Sequence, residues 1–288
     1  MLRLPFLLLV LALGSLPLPV VAQATEPFEP TIHWAYASLF GTGWYKINDQ
    51  RSGFIMRAPI RWTVGEAQID EDGKRQIAYT ISLPFTLGVS RLDFEDIPGI
   101  LDPDNLATAS ANISFDVDIP ITRRFHVRPV AGVGYSTVID ESDWAWTYRA
   151  EVKTRTTFEA GKLDWALLFD YGIAGYEPNR GESDDFEFAA AGLEFGYPVK
   201  WFGSSDGQTM LYWHLIYTDF LDEIEVRTGV EEFDSVANYW QAGIALGKRD
   251  KPVKIWRLSF DRLGLAYNFS TTGELRGIKF VFRSLYDL

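Results

Sequence analysis

Between residues 77 and 90 the chain alternates without a break. Ile77, Tyr79, Ile81, Leu83, Phe85, Leu87 and Val89 are apolar or aromatic, while Ala78, Thr80, Ser82, Pro84, Thr86, Gly88 and Ser90 between them are small or polar. A strand sends successive side chains to opposite faces, so this two-residue period predicts a β-strand with one greasy face and one polar face. A helix would spread the same apolar set around its whole circumference.

The pattern recurs along the chain. In 54–64, Phe54, Met56, Ala58, Ile60, Trp62 and Val64 oppose Arg57 and Arg61. In 109–121, Ile113, Phe115, Val117, Ile119 and Ile121 oppose Asn112, Ser114, Asp116 and Asp118. In 125–139, Phe125, Val127, Ala131, Val133 and Tyr135 oppose His126, Arg128, Gly132 and Ser136. In 143–158, Trp144, Trp146, Tyr148, Val152 and Phe158 oppose Arg149, Glu151, Lys153 and Arg155. In 163–175, Leu163, Trp165, Leu167, Phe169, Tyr171 and Ile173 oppose Asp164 and Asp170. Weaker strands read at 31–40, 186–199, 208–220, 238–247, 255–270 and 273–288, which brings the total to about twelve. Pro59, Pro84, Pro120 and Pro129 fall in or near strands, where the missing N–H weakens a ladder.

Alternation alone also fits a soluble periplasmic β-protein. Length separates the two readings: several runs extend over 12–16 residues, whereas soluble strands are usually about 5–6. The polar face carries ionised groups in mid-strand and the other face is large and aromatic, which is the outward-apolar, inward-polar arrangement of an outer-membrane barrel. Ile121–Arg124 and Ala160–Lys162 are tight connections, while 91–107, 176–185 and 221–237 are long and acidic. With a periplasmic N-terminus the tight ones become inner turns and the long ones outer loops; 65–75 is long for an inner turn. The fold expected is all-β: a closed, antiparallel, up-and-down transmembrane β-barrel over 25–288.

Composition supports a molecule that is greasy outside. The 288 residues include ten Trp, thirteen Tyr and twenty Phe. Residues 1–24 place Arg3 before an apolar core from Leu4 to Leu13 and end in small residues, the three-part pattern of a cleaved signal peptide. Pro5, Pro17 and Pro19 interrupt it too often for a spanning helix. No cysteine is present, so disulfides and Cys-ligated metals are excluded. The net charge of −12 falls to −13 without the leader, which removes one of 27 basic residues and none of 39 acidic ones. Such a chain is ill suited to nucleic acid, whose binding rests on Lys and Arg. The expected surroundings are outer-membrane lipid and lipopolysaccharide.

The end of the chain, GELRGIKFVFRSLYDL, resembles the C-terminal strand of outer-membrane proteins that the barrel-assembly machinery reads. Ile278, Phe280, Phe282, Tyr286 and Leu288 share one face of it, with Leu288 where an aromatic residue usually stands. With the strand count and the segment Asp261-Arg262-Leu263-Gly264-Leu265-Ala266-Tyr267-Asn268-Phe269, the mature chain resembles a solitary autotransporter-type β-barrel domain. Barrels of that family thread a helix through the pore. Here residues 25–30 hold two prolines and are too short to fill a lumen, so passenger secretion is not expected.

The inward charges are the candidate functional residues. Asp116 and Asp118 precede a tight turn that His126 and Arg128 follow, and Arg149, Glu151, Lys153 and Arg155 neighbour Asp164 and Asp170 through another. With Arg57 and Arg61 they line either a small passive pore with an ordered field or a ladder of ion pairs that fills a structural barrel. An outer-membrane lipid-modifying enzyme is the third reading, but His126 has no His-x-Ser partner, His214 falls in an aromatic girdle (Tyr212-Trp213-His214) and His33 precedes Trp34 near the periplasmic rim, so no catalysis is expected. No cofactor or metal site is expected. Asp70-Glu71-Asp72-Gly73 starts like a calcium loop but lacks its closing Glu. The acids at 102–104, 140–143 and 184–185 either bridge divalent ions to lipopolysaccharide or are simply solvated.

Overall fold

The computed structural model describes residues 40–47, 51–91, 107–139, 143–179, 183–200, 208–227, 233–249, 253–255, 258–273, 275–284 and 286. The expected leader at 1–24, the stretch 25–30, His33, nearly all of the strand expected at 31–40, Asp102, Asp104, Asp140 and Leu288 lie outside the described residues.

Twelve strands close into one barrel. They are β1 (Gly43–Ile47), β2 (Arg51–Val64), β5 (Ala78–Arg91), β6 (Ala107–Pro120), β7 (Phe125–Val138), β8 (Trp144–Ala160), β9 (Leu163–Pro178), β10 (Asp184–Pro198), β11 (Thr209–Arg227), β12 (Phe233–Lys248), β15 (Arg262–Phe269) and β16 (Leu275–Val281). Each pairs antiparallel with its neighbours in sequence order, and β1 closes on β16 from Gly43↔Lys279 to Ile47↔Leu275. Closure gives the backbone polar groups partners where no water can serve. Outside the barrel, β3 (Gln68–Ile69) pairs with β4 (Arg75–Gln76), and β13 (Val253–Ile255) with β14 (Leu258–Phe260).

The two faces sort as the alternation requires. Met56, Ile60, Trp62, Ile81, Phe85, Leu87, Ile113, Phe115, Val133, Trp146, Val152, Leu167 and Phe169 are exposed, although each lies within a strand. Thr80, Thr86, Asp116, Asp118, His126, Arg128, Ser136, Thr147 and Glu151 on the same wall are buried. Val133 is 55% exposed while Asp116 is 5% exposed, the inverse of a soluble protein. The particle is inside out because its outer solvent is hydrocarbon. Aromatic rows mark the two rims. Phe158, Trp165, Phe195 and Trp213 stand side by side on β8 to β11, with ring centroids 6.0, 5.4 and 6.4 Å apart. At the other end Tyr135 packs on Trp144 and Trp146, and Tyr217 on Trp240. Amphipathic rings suit the boundary between lipid and water.

Three expectations need correction. Among the described residues the first strand is Gly43–Ile47, and Phe40, the one described residue of the strand expected at 31–40, is not in a strand. The expected long outer loops at 176–185 and 221–237 are shorter than expected, since β9 runs to Pro178 and β10 starts at Asp184, while β11 runs to Arg227 and β12 starts at Phe233. Beyond the membrane a ladder needs no apolar face, so Ile224↔Val236 to Arg227↔Phe233 pair after an irregularity at Asp219, where the sequence pattern has faded. The end expected to be inner is not uniformly tight either: 65–77 and 249–261 are long, each folded partly into its own small hairpin. Asp70 serves there as a turn former, its Oδ1 accepting the Lys74 N–H at 2.6 Å.

The third correction concerns the C-terminus. Ile278 is exposed, and Phe280 and Phe282 are half-buried, as the expected outward stripe demands. Tyr286 is not on that stripe, since it is 2% exposed and lies inside the barrel. The β15–β16 ladder ends at Gly264↔Val281, and without a ladder the two-residue rule no longer fixes direction.

Candidate functional site

The inner mouth is built on the β6–β7 turn. The N–H groups of Ile121 and Thr122 both bond the Phe125 carbonyl, at 2.8 and 3.0 Å, which closes the turn. The register then sets Pro120 against His126 and Asp116 against Val130, so Asp116, Asp118, His126 and Arg128 all face the lumen. Arg128 Nη2 donates to Asp118 Oδ2 at 2.8 Å, and its Nε lies 3.6 Å from Asp116 Oδ1. His126 Nδ1 is 3.0 Å from Asp118 Oδ1. Arg61 of β2 reaches Asp116 at 3.7 Å.

Tyr286 completes this group from across the lumen. Its hydroxyl donates to Asp118 Oδ1 at 3.3 Å, and its carbonyl accepts from Arg128 Nη1 at 3.0 Å. The guanidinium carbons of Arg128 and Arg155 lie 3.8 and 4.5 Å from the ring centroid, within reach of the attraction between a cation and an aromatic face. Tyr286 follows β16, and in the closed order β1, β2 and β5 stand between β16 and β6 on the shorter way around the wall. The contact therefore bridges the lumen.

Above it runs a charged belt. The β8–β9 register pairs Lys153 with Asp170, whose charges are 3.8 Å apart. Glu151 takes Lys153 at 3.3 Å and Arg149 at 3.4 Å. From β16, Lys279 donates to Gln241 Oε1 at 3.1 Å, and Gln241 Nε2 lies 3.0 Å from His214 Nε2. The backbone of Gly41 crosses directly over Lys279, where a Cβ would come within 2.5 Å of its Cε, so any larger residue would displace the lysine stem. A cavity of about 120 Å³ sits in this belt, lined by seven basic side chains (Arg57, Arg61, Arg128, Arg149, Lys153, Lys279, Arg283) and two acidic ones (Asp116, Glu151). A second, also about 120 Å³, shares Arg57, Arg149, Glu151, Lys153, Lys279 and Tyr286 with it. A hollow of about 790 Å³ adjoins at the inner end and shares Arg57, Arg61, Arg128 and Arg283 with the first.

The outer half of the lumen is apolar. Ala174, Phe186, Phe188, Phe220, Val236 and Leu275 form a buried cluster against which Phe40, Tyr176 and Tyr239 pack. Phe220 and Tyr239 have ring centroids 5.9 Å apart, and Phe40 lies 4.9 Å from Tyr45 and 6.3 Å from Tyr239. Phe40 packs inside the wall, so residues 40–42 lead into β1 from the lumen side.

The expected site residues thus form two groups. Arg61, Asp116, Asp118, His126, Arg128 and Arg155 gather at the inner mouth, and Arg57, Arg149, Glu151, Lys153 and Asp170 in the belt. Asp164 joins neither: it faces Glu159 across the ladder and pairs with Arg249 at 2.9 Å near the inner rim. Sequence reasoning missed Lys279, Arg283, Gln241 and the pair Glu194–Arg262, whose guanidinium also stacks 3.6 Å over Tyr212. Lys279 was legible by parity, since its neighbours Ile278 and Phe280 point outward. His214 sits on the wall strand beside the rim residue Trp213 and faces in, 5% exposed.

No family model matches the sequence, and no curated protein does. Among solved structures, the translocator domain of the autotransporter NalP from Neisseria meningitidis is similar over 82% of each chain, at 11% identity and a TM-score of 0.51. The β domain of the Bordetella autotransporter BrkA is similar over 84% of this chain and 96% of its own, at 11% identity and a TM-score of 0.47. The NalP likeness establishes the fold as an autotransporter-type transmembrane barrel.

Proposed function

We propose that this chain is an outer-membrane β-barrel that holds its lumen closed at rest, a structural membrane barrel with a charged interior in preference to an open passive pore. The observation that carries the reading is the bridge from Tyr286 to Asp118, Arg128 and Arg155 across the inner mouth. The aromatic cluster around Phe188, Phe220 and Tyr239 supports it from the outer side. Twelve strands give a bore between that of small filled barrels and that of wide channels, so side chains of this size suffice to block it at the two ends and leave a chamber between them.

The reading includes export by a cleaved leader, residence among lipopolysaccharide, and recognition of Ile278, Phe280 and Phe282 by the barrel-assembly machinery. It includes no catalysis. His126 is held by Asp118 and His214 by Gln241, both inside the wall, whereas an acyl chain would lie outside it. The test is cell fractionation with a heat-modifiability gel, followed by planar-bilayer recording. The expected result is a heat-shifted band in the outer-membrane fraction and near-zero steady current. Combining Tyr286→Ala with Phe188→Ala and Phe220→Ala should open a steady current. Sustained, porin-like conductance of the unaltered protein would overturn the reading.

A further inference from the structure

We infer that the cationic chamber in mid-lumen is a binding site for a small polyvalent oxyanion, of the phosphate or di- and tricarboxylate class, reached from the periplasmic side. The first argument is charge. The chain as a whole carries −12, yet the chamber wall gathers seven basic side chains against two acidic ones, and the basic excess persists when Asp118 and Asp170, which pair with Arg128 and Lys153, are counted with them. The average composition would produce the opposite sign. The second is convergence. Arg57 comes from β2, Arg149 and Lys153 from β8, Lys279 from β16 and Arg283 from the segment after it, so separated parts of the wall aim like charges at one space. Glu151 is already shared between Arg149 and Lys153. A polyvalent anion between the cations relieves their mutual repulsion.

The third argument is fit. The chamber of about 120 Å³ exceeds the roughly 10–15 Å³ that one water needs on the same measure. Guanidinium groups present planar, paired donors matched to carboxylate and phosphate oxygens. Enclosure in a low-dielectric wall strengthens each such contact over its value in water. The route follows from the shared lining: Arg57, Arg61, Arg128 and Arg283 border both the chamber and the inner hollow of about 790 Å³, while the aromatic cluster closes the outer side. The inference goes beyond the closed-lumen reading, because a closed barrel need bind nothing.

The test is calorimetric titration of the full chain, folded in detergent, with sodium citrate and with inorganic phosphate, against sodium chloride at matched ionic strength to remove simple screening. Saturable binding of citrate or phosphate, and not of chloride, is expected. Lys279→Gln and Arg57→Gln should each weaken it about tenfold, while Asp164→Asn at the rim leaves it unchanged. If the basic variants fail to fold, Glu151→Gln remains informative: removal of the competing carboxylate should tighten binding. No saturable heat up to roughly 10 mM anion with folded protein, or affinity untouched by Lys279→Gln and Arg57→Gln, or weakened by Glu151→Gln, would overturn the inference. Binding is read here without current, so a conducting barrel would defeat the closed-lumen reading alone.

Discussion

Asp118 accepts from three directions: Arg128, His126 and the Tyr286 hydroxyl all reach one carboxylate that is 6% exposed. Removing one partner of a buried charge pair typically costs about 3–5 kcal/mol, because the other charge is left uncompensated. For Asp118→Ala the expected loss lies at the lower end, near ~3 kcal/mol, since Asp116 remains 3.6 Å from Arg128 Nε. Urea unfolding of the detergent-folded protein measures it. Tyr286→Phe should cost only about 1 kcal/mol, the worth of one ordinary hydrogen bond, because its ring stays beneath both guanidiniums. A Tyr286→Phe loss as large as that of Asp118→Ala would mean that the hydroxyl, not the ring, closes the mouth. Of this group, Asp118, His126 and Arg128 were legible as residues of equal parity across a tight turn. Tyr286 was not, because no ladder constrains the chain after Val281.

At the scale of the strand, β5 to β9 were readable to within about three residues at either end, since lipid on one side and an inward polar face on the other keep the alternation sharp. The outer halves of β11 and β12 were not, because the alternation of apolar and polar residues fades there while the ladder persists from Ile224↔Val236 to Arg227↔Phe233. The same physics predicts how depth weighs on the lipid face. Ile113→Arg, at the middle of β6, should destabilise by roughly 2–4 kcal/mol, and Ile121→Arg, at the rim, by about 0–1 kcal/mol. Equal losses at both positions in urea titrations would show that the outer face does not traverse a bilayer. The turn between β8 and β9 offers a separate check. Gly161 has φ +66°, and a methyl group on its Cα would meet nothing within 4 Å, so Gly161→Ala should cost about 1 kcal/mol through backbone strain alone.

Across the whole molecule charge is segregated along the barrel axis. Exposed acids such as Glu66, Asp72, Glu159, Glu177 and Asp185 lie at the ends, while the belt within is cationic. The strand count could be had by counting alternations along the sequence. The blocked lumen could not, because it depends on Phe40, Tyr239 and Tyr286 meeting partners far away in the chain. The segregation has a consequence once the lumen is opened. In a narrow passage the charges nearest the ion set selectivity, and the mouth acids are screened by salt over about 10 Å at roughly 0.1 M. Current through the combined Tyr286→Ala, Phe188→Ala and Phe220→Ala protein should therefore favour chloride over potassium, despite the net charge of −12. Adding Lys279→Glu and Arg57→Glu reduces the count of basic side chains around the chamber from seven to five and raises the acidic count from two to four. That change should carry the reversal potential in a potassium chloride gradient toward the cation side. Cation preference before those two substitutions would mean that the mouths govern the path, and that the belt's charge is neutralised before an ion reaches it.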